Sequence, residues 1–254
     1  MGPITTFIFL IVAGILAGMV STIASMASLV SYPALLIAGA PPVIANITNT
    51  SALIFTGIGS TLSSLEEMKG HWKEVTKYSF FTVTGALVGS LLLLKFPGEV
   101  FEKLVPFFVI FSAAMLLLSG SKKSFNLSGQ QHSAIKSVGA YFGLFFAGIY
   151  TGYFGAAAGV LMLIFLTYIS EASFVAVNAM KNILGSLGNL VALIVFIFGS
   201  HIDWNMTIPL AIGLFIGGYL GQKTVKHLSP KVVRWTTAAL SLVLAGYLFK
   251  SAYF

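Results

Sequence analysis

The sequence predicts an all-α polytopic membrane protein of two inverted repeats, each a broken short-helix hairpin followed by three transmembrane helices. Three observations predict it. Charged residues make up 8% of the 254 and mean hydropathy is +0.95. A soluble domain carries about 25% charged residues, so here lipid must be the solvent for most of the outer surface. The apolar residues fall into span-sized blocks. The chain also aligns with itself.

A span needs about 20 apolar residues. Segments of that size run over 43–65, 76–94, 101–119, 175–199, 206–222 and 232–249. Two further stretches, 4–40 and 137–170, are too long for one helix. Ser21, Ser25, Ser28 and Pro33 interrupt the first; Gly152, Gly155 and Gly159 interrupt the second. Broken backbone at membrane depth is tolerated where protein buries it or a cavity borders it. Two helices of about 15 residues fit the second stretch, each about 22 Å long against a hydrocarbon core of about 30 Å. Such hairpins are either re-entrant or tilted and packed in protein.

Asn46, Trp72, Gly85 and Gly89 recur 132 positions on as Asn178, Trp204, Gly217 and Gly221; Ala17-Gly18 recurs 130 on as Ala147-Gly148. Two of the three tryptophans fall in register, so the repeats are 1–119 and 137–254, with 120–136 as linker. If each long stretch crossed once, the repeats would be parallel and the loop Lys/Arg would split six against seven. If each enters and returns on one side, the loops at 65–78, 120–136 and 223–234 share a face with ten, opposite Lys95, Lys103 and Lys250. Cytoplasmic loops carry the excess. That rule selects inverted repeats, a cytoplasmic linker and both termini outside.

Two constellations carry chemistry. The hairpin tips, Ser25-Met26-Ala27-Ser28 and Gly155-Ala156-Ala157-Ala158-Gly159, are small enough to let backbone approach a ligand. Helices starting after them present N–H groups to an anion, and two tips meeting from opposite sides make a central anion site. The competing reading is close helix packing through pairs such as Gly14/Gly18 and Gly148/Gly152. The second constellation is Asn46-Ile47-Thr48-Asn49-Thr50 with its counterpart Asn178-Ala179-Met180-Lys181-Asn182. Asn46 and Asn178 either cap the helices they open or face the site. Lys181 lies inside an apolar run, where it either snorkels to the interface or stands in a cavity as countercharge to an anion. Asn189 either shares that cavity or pairs with a neighbouring helix. Paired glycines at 85–89 and 213–221 serve internal packing or a homodimer.

Several classes are excluded or unsupported. There is no cysteine, and no Asp or Glu lies deep in a span: Glu66, Glu67, Glu171 and Asp203 stand at span ends and Glu74, Glu99 and Glu102 in loops. His71, His132, His201 and His227 fall in loops without metal-ligand spacing. No nucleophile–base pair stands out, so neither an enzyme nor a metal or other cofactor is expected. The net charge of +7 sits between apolar segments and reports topology, not a nucleic-acid partner. Trp72 and Trp204 read as interfacial anchors. The N-terminus has no Lys or Arg before its apolar stretch, so a cleaved signal peptide is not expected.

The second half carries Gly152-Tyr153-Phe154-Gly155-Ala156-Ala157-Ala158-Gly159, Asn178-Ala179-Met180-Lys181-Asn182, Asp203-Trp204 and Gly217-Gly218-x-x-Gly221. The first carries Pro33-Ala34-Leu35-Leu36, Gly39-x-Pro41-Pro42 and Ala45-Asn46-x-Thr48-Asn49. In order and spacing the chain resembles the TauE/SafE sulfite-exporter family over nearly its whole length. It departs from the family's glycine runs at Ala156–Ala158 and at Ser25 and Ser28. The resemblance implies transport of small sulfur-containing anions, sulfite or organosulfonates, across a bacterial plasma membrane. The residues assigned to the anion are Ser25, Ser28, Asn46, Thr48, Asn49, Gly155, Gly159, Asn178, Lys181, Asn182 and Asn189. An anion channel and a non-transporting membrane scaffold are the alternatives.

Overall fold

The computed structural model describes residues 2–96, 98–118, 134–156, 158–224 and 230–253. These form ten α-helices, with no strand among the described residues. The first half holds α1 (Pro3–Ala24), α2 (Ser28–Ile37), α3 (Pro42–Leu62), α4 (Trp72–Lys95) and α5 (Gly98–Leu118). The second holds α6 (Ala134–Tyr153), α7 (Ala158–Ile169), α8 (Phe174–Gly199), α9 (Trp204–Thr224) and α10 (Pro230–Tyr253). The expected linker lies outside the described residues except for 134–136, which open α6; Ala157, His132 and His227 also lie outside them.

Four described segments are long and apolar enough to cross a membrane: Pro3–Ile23, Trp72–Lys95, Val175–Gly199 and Trp204–Gly221. Large apolar side chains such as Ile4, Phe80 and Phe198 project outward from them, as lipid-facing helices require. α3 is as long but turns a polar face inward, with Asn46, Thr48, Asn49, Thr50, Ser51, Thr56 and Ser60 all buried. Trp72 and Trp204 each occupy the first position of a helix and are half exposed.

Each long apolar stretch breaks once, at equivalent places. α1 ends on Ser25 in the left-handed region (φ 63°, ψ 32°), and α6 gives way at Gly155 (φ 76°). The two are 130 residues apart, the offset that relates Ala17-Gly18 to Ala147-Gly148. Glycine takes this conformation freely. Serine does so at a cost of about 1–2 kcal/mol, and Ser25 is the one non-glycine with positive φ among the described residues.

The hairpins differ from expectation in one respect. Each pairs a full-length helix with a short one: 22 residues with 10 in the first, 20 with 12 in the second. At 1.5 Å per residue the long members reach about 33 and 30 Å and the short ones about 15 and 18 Å. Gly14, Gly18, Gly148 and Gly152 leave their helices intact because each faces another helix at backbone distance. A Cβ on Gly18 would lie 2.6 Å from the Gly218 nitrogen and 2.7 Å from the Leu214 carbonyl; one on Gly152 would fall on the Ala86 carbonyl. Pro33 sits inside α2 without ending it, since its φ suits a helix and only one backbone hydrogen bond is forgone.

These contacts build the frame. α1 lies along α9 and α6 along α4, each pair advancing in the same direction: Gly14 meets Gly213 and Gly18 meets Gly217, while Gly85 meets Gly148 and Gly89 meets Tyr153. The glycines at 85–89 and 213–221 therefore pack inside the chain. α3 and α8 cross at the centre, where Ser186 Oγ donates to the Ile54 carbonyl (3.0 Å) and a Cβ on Gly57 would overlap Ser186.

Candidate functional site

The α3–α8 crossing and the two hairpin breaks enclose a polar cavity of about 70 Å³. One water needs roughly 10–15 Å³, so the space takes a few waters or one small ion. Ser21, Ser25, Ala27 and Ser28 face it from the first hairpin, and Thr151, Gly155, Ala158, Gly159 and Met162 from the second. Leu53, Thr56, Gly57 and Ser60 of α3 and Lys181, Asn182, Gly185, Ser186 and Asn189 of α8 close the sides.

The breaks meet at this point. A Cβ on Gly159, the second residue of the second hairpin's return helix, would lie 2.9 Å from Ser25 Cβ and 3.5 Å from Lys181 Cδ. The missing side chain is what lets the tips touch. Lys181 is 3% exposed, and its Nζ donates to Ser25 Oγ at 2.6 Å. That bond joins α8 of one half to the hairpin of the other. Asn46 makes the reciprocal tie: its Nδ2 donates to the Tyr153 carbonyl at 2.8 Å, holding the last residue of α6 against α3.

Among the described residues no carboxylate comes within ion-pair distance of Lys181; both recorded ion pairs, Lys69–Glu66 and His71–Glu74, lie elsewhere. A cation in this setting lacks its usual compensation, and buried charge without a partner is costly. Two residues that line the cavity, Thr56 and Asn182, also carry a buried polar atom without a protein partner, Oγ1 and Nδ2. The residues lining the cavity thus carry an amine, amides and hydroxyls, with no acid among them.

Of the residues assigned from sequence, Ser25, Ser28, Gly155, Gly159, Lys181, Asn182 and Asn189 line the cavity, while Asn46, Thr48, Asn49 and Asn178 do not. Asn49, at the position equivalent to Lys181, turns to its own hairpin: its Nδ2 donates to Ser28 Oγ (3.0 Å) and its Oδ1 accepts from Ser31 Oγ (2.5 Å). Thr48 is fully buried and its hydroxyl has no partner. Asn46 and Asn178 sit one turn inside α3 and α8, so neither caps; Ser173 caps α8 instead, accepting from the Ala176 N–H. Backbone donors at the tips are fewer than expected. The Leu29 and Val30 N–H groups bond to the Met26 and Ala27 carbonyls, and the Ala158 N–H to the Gly155 carbonyl. Tight turns consume the N–H groups that a freely starting helix would present.

Sequence reasoning missed Thr56, Ser60, Thr151 and Ser186. A signal was present: 56, 57 and 60 on α3, and 182, 185, 186 and 189 on α8, are small or polar residues at helical spacing. It also left Glu74 as a solvated loop residue. Glu74 lies in the first turn of α4, where it accepts from Ser170 Oγ (2.6 Å) and pairs with His71 Nδ1 (2.8 Å), tying the α7–α8 turn to α4.

An all-helical fold with membrane-length apolar helices around a central polar cavity defines a polytopic membrane protein of the transporter type. The match that places it more narrowly covers residues 10–248: the chain belongs to the sulfite exporter TauE/SafE family. Its relatives include a probable membrane transporter protein, ORF9, of a Sinorhizobium species, 27% identical over 93% of this chain and 90% of the relative. Another is the probable membrane transporter protein YfcA of Escherichia coli K12, 25% identical over 92% and 86%. A third is the probable membrane transporter protein YunE of Bacillus subtilis 168, 22% identical over 90% and 92%. No solved structure matches the chain.

Proposed function

We propose that the chain is a secondary transporter of small anions, sulfite or organosulfonates first among them, with the anion held between the two hairpin tips near the middle of a bacterial plasma membrane. The observation that carries this reading is Lys181: a buried amine without a carboxylate partner among the described residues, at the contact of Ser25 with Gly159. In the reading, the anion takes the Lys181 amine, the Asn182 amide and the Thr56 hydroxyl. Residues 1–119 and 137–254 act as inverted repeats joined by a cytoplasmic linker, with both termini outside. The reciprocal packing of α1 on α9 and α6 on α4 supports this, as does the equivalence of Ser25 with Gly155. Each half holds five helices among the described residues; if successive helices reverse, the sixth runs opposite to the first.

Access would alternate by rocking one repeat against the other. With the cell interior negative, uncoupled movement favours anion exit by about 2.3 kcal/mol per charge per 100 mV. The test is a proteoliposome flux panel of sulfite, sulfate, thiosulfate and two organosulfonates, run on wild type and Lys181→Met. Saturable flux of a sulfur anion, lost in Lys181→Met with folding retained, is expected. No flux for any of the panel would remove the substrate assignment, and non-saturating flux would make the protein a channel.

A further inference from the structure

Of the two aromatic residues at the second break, Tyr153 and Phe154, the second is among the most deeply buried side chains described. Phe154, immediately before the left-handed Gly155, is 1% exposed and is met by three rings. Tyr32 of α2 stands edge-on to it (centroids 5.5 Å, 86°), Phe101 of α5 is at 5.9 Å and Phe108 stacks at 5.8 Å. Phe101 and Phe108 also contact Tyr153, at 5.9 and 5.8 Å.

This layer separates two spaces. On one side is the Lys181 cavity, bordered by Gly155 and Ser28 and running along α3 from Leu53 to Ser60. On the other is a cavity of about 30 Å³, bordered by Tyr32, Glu102 and Pro42, the first residue of α3. Tyr32 is shared: its ring packs on Phe154, while the residue borders the small cavity and its hydroxyl has no partner. Between the two spaces α3 is sealed from Ala45 through Ser51, each residue at most 1% exposed, with Asn46 holding the Tyr153 carbonyl.

The seal has no copy in the other half. The positions 130 or 132 residues away from Tyr153, Phe154, Phe101 and Phe108 are Ile23, Ala24, Val233 and Leu240, and those for Tyr32 are Met162 and Ile164. Two-fold related halves with rings on one side only close more firmly on that side, since aromatic pairs add to plain apolar burial.

We infer that Tyr32 and Phe154 form a closed gate on the Glu102 side of the Lys181 cavity, and that the empty protein rests with this gate shut. This inference rests on the transport reading for its purpose, but its test needs no substrate. The chain has no cysteine, so Thr56→Cys places a single near-isosteric thiol on the cavity. A membrane-impermeant thiol reagent is then applied separately to each face of oriented vesicles. With the gate intact, any labelling should come from the first face, opposite residues 95–103, and none from the second, the face bearing residues 95–103. Adding Phe154→Ala should speed labelling from that second face by roughly tenfold or more, the population shift expected when several ring contacts are lost. Tyr32→Ala serves if Phe154→Ala does not yield folded protein. Labelling of the intact-gate protein from the 95–103 face, or an unchanged rate in both gate variants, would overturn the inference. A failed flux panel with this labelling pattern intact would remove the substrate reading and leave the gate.

Discussion

Replacing one hydrogen atom at Gly159 tests whether contact between the hairpin tips sets the cavity. A Cβ there would stand 2.9 Å from Ser25 Cβ and 3.3 Å from the Ser25 carbonyl oxygen. Carbon atoms rest at about 3.5–4.0 Å, so α7 and the first tip must part by roughly 0.6–1.1 Å. The Lys181–Ser25 hydrogen bond is 2.6 Å, and the same movement carries it to or past the ~3.2 Å limit of a good bond. Overpacking of this kind costs about 1–3 kcal/mol, and about 1.4 kcal/mol is a factor of ten in affinity. Gly159→Ala should therefore raise the half-saturating concentration for the best anion of the flux panel by about tenfold or more, and lower the melting temperature in detergent. Gly139→Ala is the control, because no atom lies within 4 Å of a Cβ there. Equal half-saturation in the two variants would refute the idea that tip contact fixes the site.

Three further outcomes follow from named contacts. Ser25→Gly relieves left-handed strain worth about 1–2 kcal/mol but removes the Lys181 acceptor, so thermal stability should hold or rise while affinity falls. Ser25→Asn, which tolerates the conformation and keeps an acceptor, should retain more affinity than glycine. Asn46→Ala frees the buried Tyr153 carbonyl and should lower stability by about 1–3 kcal/mol, read as a drop in melting temperature; an unchanged melt would deny that this bond holds the second tip. Gly89→Val places side-chain atoms on the Ile149 carbonyl, so monodisperse protein should be lost on size exclusion, whereas Gly246→Val, with open space around its Cβ, should express normally.

Much of this arrangement was legible because it rests on composition and periodicity. Lipid-facing helices announce themselves as apolar runs, and the repeat showed in tryptophans that both open helices. The breaks fell near Ser25 and Gly155, where small residues cluster. What stayed hidden depends on helix rotation and on partners distant in the chain. Nothing local says that Asn46 reaches a carbonyl 107 residues away, or that Asn49 serves its own hairpin while Lys181 serves the other. Gly152 reads as a break or as a packing face until α4 is in place against it. The gate rings were hidden for the same reason: phenylalanine is abundant in an apolar chain, and only the fold gathers three of them and a tyrosine pair into one layer. Ser25 was visible as a departure from a glycine pattern, and its bond to Lys181 gives that departure a physical role.

The central claim is that Lys181 binds the transported anion, and equilibrium binding tests it without dependence on coupling or direction. The measurement is the melting temperature of detergent-solubilised protein titrated with the best anion of the flux panel, for wild type and Lys181→Met. Ligand at 100 times its dissociation constant adds about 2.7 kcal/mol to stability, so the wild type should shift upward by several degrees and Lys181→Met should not shift at all. An equal, saturable shift in both proteins would contradict the account, because the anion would then be bound without the lysine on which the site is built.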